Sequence, residues 1–161
     1  MILISTNKKL KPTIKKAKSL FKQDKYQETI DICNEILASN SNSIETLKLI
    51  AKSFLAIRKL EDSRFYLNKA LTIKHDDHEL IKDLGNTCKA LGDNNSAKKY
   101  YQKALSIKDD YAPALTNLGS IEFNDGNKQQ ALKLLIKAIE SDPQLVAAWG
   151  NLANIYIHLG E

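Results

Sequence analysis

Small residues flanked by apolar ones return along this chain at a fixed interval. Ala17, Ala51, Gly85, Gly119 and Ala153 each stand 34 positions after the last, with no insertion between them. Three more columns keep the same register: Thr29, Ser63, Ala97 and Ala131; then Cys33, Leu67, Tyr101 and Leu135; then Ile36, Ala70, Ala104 and Ala138. Within a unit these small, bulky and small positions fall at i, i+4 and i+7, which is one face of a helix. A strand would alternate with a period of two, and no such alternation is present. The pattern predicts helices throughout.

Polar breaks divide the apolar stretches. Inside the units lie Gln23-Asp24-Lys25, Arg58-Lys59, Gly92-Asp93-Asn94 and Asp125-Gly126-Asn127. Between units lie Asn40-Ser41-Asn42, His75-Asp76-Asp77, Lys108-Asp109-Asp110 and Ser141-Asp142-Pro143. These residue types cap helix starts and make turns, and Gly92 and Gly126 suit the left-handed position after a helix. Each unit therefore reads as helix, tight turn, helix, tight turn. The boundaries are a short extension over 1–9, units over 10–43, 44–77, 78–111 and 112–145, and the first helix of a fifth unit over 146–161.

The fourth copy reads Leu115, Leu118-Gly119, Ala131, Leu135, Ala138 and Pro143; the fifth opens Trp149, Leu152-Ala153, Tyr156, with Gly160 at the turn. In these residues the chain resembles the tetratricopeptide repeat family. The resemblance covers residues 10–161. It implies an all-α fold, a right-handed superhelical α-solenoid of antiparallel helix pairs with four full repeats plus one extra helix. Small residues let helix backbones approach and bulky ones fill the space between, so each unit depends on its neighbours. Lys16, Ile36 and Glu122 depart from the family pattern and are expected to loosen packing locally.

Composition narrows the function. Leu, Lys, Ile and Ala are the commonest residues and valine occurs once, which favours helix over sheet. No apolar run approaches the ~20 residues of a membrane span, and the first residues lack the pattern of a secretory signal. A cytoplasmic location is expected, with Cys33 and Cys88 as reduced thiols packed on apolar helix faces. The net charge is +5, but only Arg58 and Arg64 are arginines. Nucleic-acid readers favour arginine for bidentate contacts, so neither nucleic acid nor a membrane is expected as a partner. His75-Asp76-Asp77-His78 is the one metal-like cluster, and its place between units reads as a solvated turn. Tyr66, Tyr100 and Tyr101 read as packing residues. No nucleophile, acid–base pair or phosphate loop stands out, so no enzyme activity and no cofactor is expected in these residues.

The resemblance also places a binding face. In this family the first helix of each pair lines the concave surface, which implies a role in binding a peptide segment of another protein. Carried over by position, the inward residues are Lys11, Lys15, Lys18 and Lys22; Lys48 and Lys52; Lys82, Asp83, Asn86 and Lys89; Asn117, Ser120 and Asn124; and Asn151, Asn154 and His158. The series runs from lysine-rich to asparagine-rich, and an acidic segment is the partner expected at the lysine end. Asparagine amides both donate and accept, so they can read a peptide main chain.

Asn117 and Asn151 stand where the repeat arm of O-linked N-acetylglucosamine transferases carries its asparagine ladder. Lys82, Asn86 and Asn117 match the first three elements of the family's clamp for a C-terminal carboxylate. Ala147 and Asn151 stand where the clamp needs basic residues, so that device is incomplete. The helix over 146–161 carries Val146, Trp149, Leu152, Ile155, Tyr156, Ile157 and Leu159, apolar on more than one side. It is expected to be covered by more chain, as in a longer protein, or by self-association. The alternative function is a substrate-recognition arm for a glycosyltransferase or sulfotransferase domain beyond residue 161.

Overall fold

The computed structural model describes residues 13–160. The extension over 1–9 and Lys11 lie outside the described residues. Among the described residues there are nine α-helices and no strand: α1 (Ile14–Phe21), α2 (Tyr26–Ser39), α3 (Ile44–Ala56), α4 (Leu60–Leu71), α5 (His78–Ala90), α6 (Asn94–Ile107), α7 (Ala112–Asn124), α8 (Lys128–Ser141) and α9 (Val146–Leu159). The helices form antiparallel pairs of the tetratricopeptide type. None is long and apolar enough to cross a membrane.

The turns follow the 34-residue register down to single dihedral angles. Asp24, Arg58, Gly92, Gly126 and Gly160 all have positive φ, at 58°, 62°, 83°, 87° and 76°. Each ends the first helix of a unit in the left-handed conformation, which closes the helix and reverses the chain. Helix starts are capped in the same rhythm. Ser43 accepts from the Thr46 N–H at 3.4 Å, and Asp77 accepts from Glu79 and Leu80 N–H groups at 3.0 and 3.1 Å. Asp93 caps α6 through the Ser96 N–H at 2.9 Å.

The chain divides into two compact units at Tyr66–Leu67, inside α4. In the first, Ala17, Ile30, Cys33, Leu49, Ile50 and Phe54 form one core, with Phe54 and Tyr66 stacked at 5.6 Å between ring centres. In the second, Ile81, Tyr101, Ala104, Ala114 and Ile121 pack between α5, α6 and α7, and Ala131, Leu135 and Ile155 pack between α8 and α9. The small-residue columns lie in these cores. Ala17, Ala51, Gly85 and Gly119 are buried, as are Ala70, Ala97, Ala104, Ala131 and Ala138. Ala153 of the same series is exposed. Gly85 and Gly119 of that series pack against Tyr101 and Leu135 on the second helix of their own hairpin.

Two expectations need correction. Asp77 is not a solvated turn residue: it is 7% exposed, because its carboxylate caps α5 and pairs with Lys74 at 3.0 Å. Glu122 does not loosen its repeat. It is equally buried, and its carboxylate joins Lys98 of α6 at 2.7 Å while accepting from Asn127 Nδ2 at 2.7 Å.

Candidate functional site

In the first unit the candidate lysines form two stripes. Lys15 and Lys18 on α1 and Lys22 at its C-cap follow one another at i, i+3 and i+7, and Lys48 and Lys52 lie one turn apart on α3. Lys15, Lys18 and Lys52 are exposed and Lys48 is half-buried. Ile14, Lys15, Lys18, Ser19 and Lys22 line a shallow depression of about 430 Å³. Glu45, on the same face of α3 as Lys48 and Lys52, forms an ion pair with Lys18. Sequence reading passed over Glu45, because charge pairing between helices depends on how they pack rather than on spacing. Residues 1–66 still hold 13 basic against 7 acidic side chains, while residues 67–161 hold 11 against 12. The positive excess of the chain therefore belongs to its first unit.

In the second unit the candidates on α5 and α7 are brought into contact. Asn86 Oδ1 accepts from Asn117 Nδ2 at 2.9 Å and from the Tyr101 hydroxyl at 2.9 Å. Lys89 Nζ donates to Ser120 Oγ at 3.4 Å. Lys82 forms an ion pair with its neighbour Asp83, and the two side chains are only 14% and 7% exposed. The lysine needed to attract a terminal carboxylate is thus already neutralised by a carboxylate of the chain itself. That arrangement works against the clamp reading as strongly as Ala147 and Asn151 do.

Tyr101, read from the sequence as a packing residue, also reaches the candidate face. It is fully buried, yet its hydroxyl reaches the face through Asn86. Burial pushes its phenol well above the ordinary tyrosine range, with Cys88 and Asp83 adding to the shift. The hydroxyl therefore stays protonated and donates. The available signal was its repeat position, where Leu67 and Leu135 carry no hydroxyl.

On α7 and α9, Ser120 and Asn151 are half-buried, whereas Asn124 and Asn154 are exposed. With Gly119, Leu135 and Ile155 they surround a narrow cleft of about 30 Å³. His158 Nδ1 donates to the Asn154 backbone oxygen at 2.9 Å, and the ring packs edge-on to Phe123. On the other faces of α9, Val146 is 79% exposed, Trp149 50% and Ile157 74%. Among the described residues no group of three or more His, Cys, Asp or Glu side chains is placed to hold a metal ion.

Residues 83–111 and 112–145 match the family model described as tetratricopeptide repeat. No curated protein matches the chain. Among solved structures, MamA is 21% identical with a TM-score of 0.72, over 89% of this chain and 84% of that one. YrrB, a TPR protein with an unusual peptide-binding site, is 19% identical with a TM-score of 0.66, over 91% and 76%. TTC0263, a thermophilic TPR protein of Thermus thermophilus, is 16% identical with a TM-score of 0.78, over 88% and 78%. At these identities the likeness establishes the fold.

Proposed function

Because the chain is a tetratricopeptide repeat protein, we propose that each of its two units binds an extended segment of another protein on its odd-numbered helices. The observation that carries this reading is the row of amide and hydroxyl groups gathered on α5, α7 and α9. Asn86, Ser120 and Asn154 share one repeat position there, and Asn117 and Asn151 share another. Asn86 Oδ1 already accepts from Asn117 and Tyr101, so the groups left to meet a main chain are Asn86 Nδ2, Asn117 Oδ1 and the amides of Asn151 and Asn154. The fold shared with YrrB, which has a peptide-binding site, supports the reading.

The first unit favours an acidic segment through Lys15, Lys18, Lys48 and Lys52. Charge of this kind sets on-rate and salt sensitivity more than final affinity. The reading assigns no catalytic step to these residues.

The test is selection of displayed random short peptides on the intact chain at low salt. Peptides rich in Asp and Glu should emerge, and Lys48→Glu with Lys52→Glu should weaken them at least tenfold at unchanged helicity. If no peptide is selected, the reading falls. If peptides bind the double variant as well as the parent, the basic face is not where they lie.

A further inference from the structure

The half-buried amides of Asn86 on α5 and Asn117 on α7 are bonded to each other, and two amides can make that bond in two ways. In one, Asn117 Nδ2 donates to Asn86 Oδ1, which leaves Asn86 Nδ2 and Asn117 Oδ1 turned outward. Rotating both amides by half a turn exchanges the roles, and Asn86 Oδ1 and Asn117 Nδ2 then face outward. Taken alone, the pair has no preference, because each arrangement contains one N–H···O bond. A main chain laid across it does distinguish them, since a carbonyl must come to the donor and an N–H to the acceptor.

Tyr101 breaks the tie. Its hydroxyl donates at 2.9 Å to Asn86 Oδ1, the same oxygen that accepts from Asn117 Nδ2 at 2.9 Å. The ring is fully buried and set against Gly85, where a Cβ would collide with it. With the amides rotated, Asn86 would present Nδ2 to the phenol, and the phenol would have to accept. Its own hydrogen would then lose the Asn86 oxygen inside the core, and a buried polar group that loses its partner is costly. We propose that Tyr101 is a positioning residue for the groove. From within the core it holds the Asn86–Asn117 pair in the arrangement that shows a donor on α5 and an acceptor on α7. The residues 34 positions later are Ser120, Asn151 and Leu135; leucine has no hydroxyl, so the same lock is not repeated between α7 and α9. The proposal rests on the peptide-binding reading above and adds a requirement to it. The residue of the bound segment that lies at Asn117 Oδ1 must carry an N–H, which excludes proline there.

The test is a double-mutant cycle between Tyr101→Phe and Asn117→Asp, read by urea denaturation at neutral pH. An ionised aspartate keeps the shape of asparagine but only accepts, so it bonds to Asn86 only if that amide rotates and leaves the phenol. Asn117→Asp should therefore raise the unfolding constant about fivefold more in the parent than in the Tyr101→Phe background. Attraction of the new charge for neighbouring lysines is common to both backgrounds and cancels. A phenol that merely fills the core predicts additive effects instead. Peptides selected on the parent should also bind Tyr101→Phe about fivefold more weakly at unchanged helicity, and this comparison decides alone if Asn117→Asp does not fold. Additive effects in the cycle, or peptides that bind Tyr101→Phe as tightly as the parent, overturn the positioning role and leave the peptide-binding reading standing. Selection of no peptide at all overturns both.

Discussion

The ring of Tyr101 lies so close over Gly85 that a Cβ added there would fall 2.5 Å from Tyr101 Cε1 and 2.8 Å from Cδ1. The phenol cannot retreat without breaking its bond to Asn86, because it is buried and held at its far end. Gly85→Ala should therefore destabilise the fold, although alanine alone would favour the helix by about 1 kcal/mol. Overpacking of this kind costs about 1–3 kcal/mol. The partner change tests the cause. Tyr101→Leu should cost less in the Gly85→Ala background than in the parent, since the shorter side chain relieves the clash. Urea denaturation of the four proteins gives the coupling directly. Strict additivity would mean the ring and the glycine are not in contact.

Arg58 holds a left-handed backbone with φ of 62°, at the position that glycine fills in the two following turns. A side chain in that conformation costs about 1–2 kcal/mol, and glycine returns part of the gain through the freedom of the unfolded chain. Arg58→Gly should raise stability by about 0.5–1 kcal/mol, read as a higher urea midpoint at constant slope. Gly92→Ala makes the opposite change. Nothing lies within 4 Å of a Cβ at Gly92, so any loss of stability there reports the dihedral angle alone.

The Lys98–Glu122 pair should limit stability on both sides of neutral pH. Burial pushes the Glu122 carboxyl up, but its bonds to Lys98 and Asn127 outweigh that and hold it below the usual glutamate range. Its contribution is therefore present above the unfolded value near ~4.3 and is lost as pH falls through the lower folded value. Lys98 is raised chiefly by its bond to Glu122, against partial desolvation and with help from Asp125. Its contribution is present below ~10.4 and lost as pH rises through the higher folded value. Glu122→Gln should cost about 1.5–3 kcal/mol at pH 7, the range for a hydrogen bond to a charged group. The same variant should flatten the acid limb of the stability–pH curve. An acid limb identical to the parent's would assign acid sensitivity to other carboxylates.

The repeat made most of the fold legible before any coordinates. Gly85, Gly119, Ala104 and Ala138 announce close helix contacts because a small residue kept at one register has few other uses. Gly92 and Gly126 mark their turns for the same reason. Arg58 in the same conformation is visible only through the register, since its own chemistry argues against it. The candidate site was less legible. Lys18 with Glu45, Lys82 with Asp83 and Lys98 with Glu122 are pairings set by rotamers and helix packing, which sequence spacing does not encode. Two of these pairs change the reading of the face: Glu45 offsets part of the lysine stripe, and Asp83 neutralises the lysine of the partial clamp. Tyr101 shows the reverse case, a residue read rightly as core whose one polar atom belongs to the face.

Cys33 offers a probe of opening in the first unit. It is fully buried between α2 and its neighbours, and burial pushes its thiol up to about 12. The thiolate is the reactive species, with an ordinary pKa near ~8.5, so the native thiol should be inert at pH 8 to a disulfide reagent such as 5,5′-dithiobis(2-nitrobenzoate). Labelling should follow opening of the unit. In a Cys88→Ala background its rate should rise with urea in proportion to the open fraction, and Arg58→Gly should slow it. Fast labelling without denaturant, at the rate of a free thiol, would show that the core around Ala17, Ile30 and Ile50 opens far more readily than its burial implies.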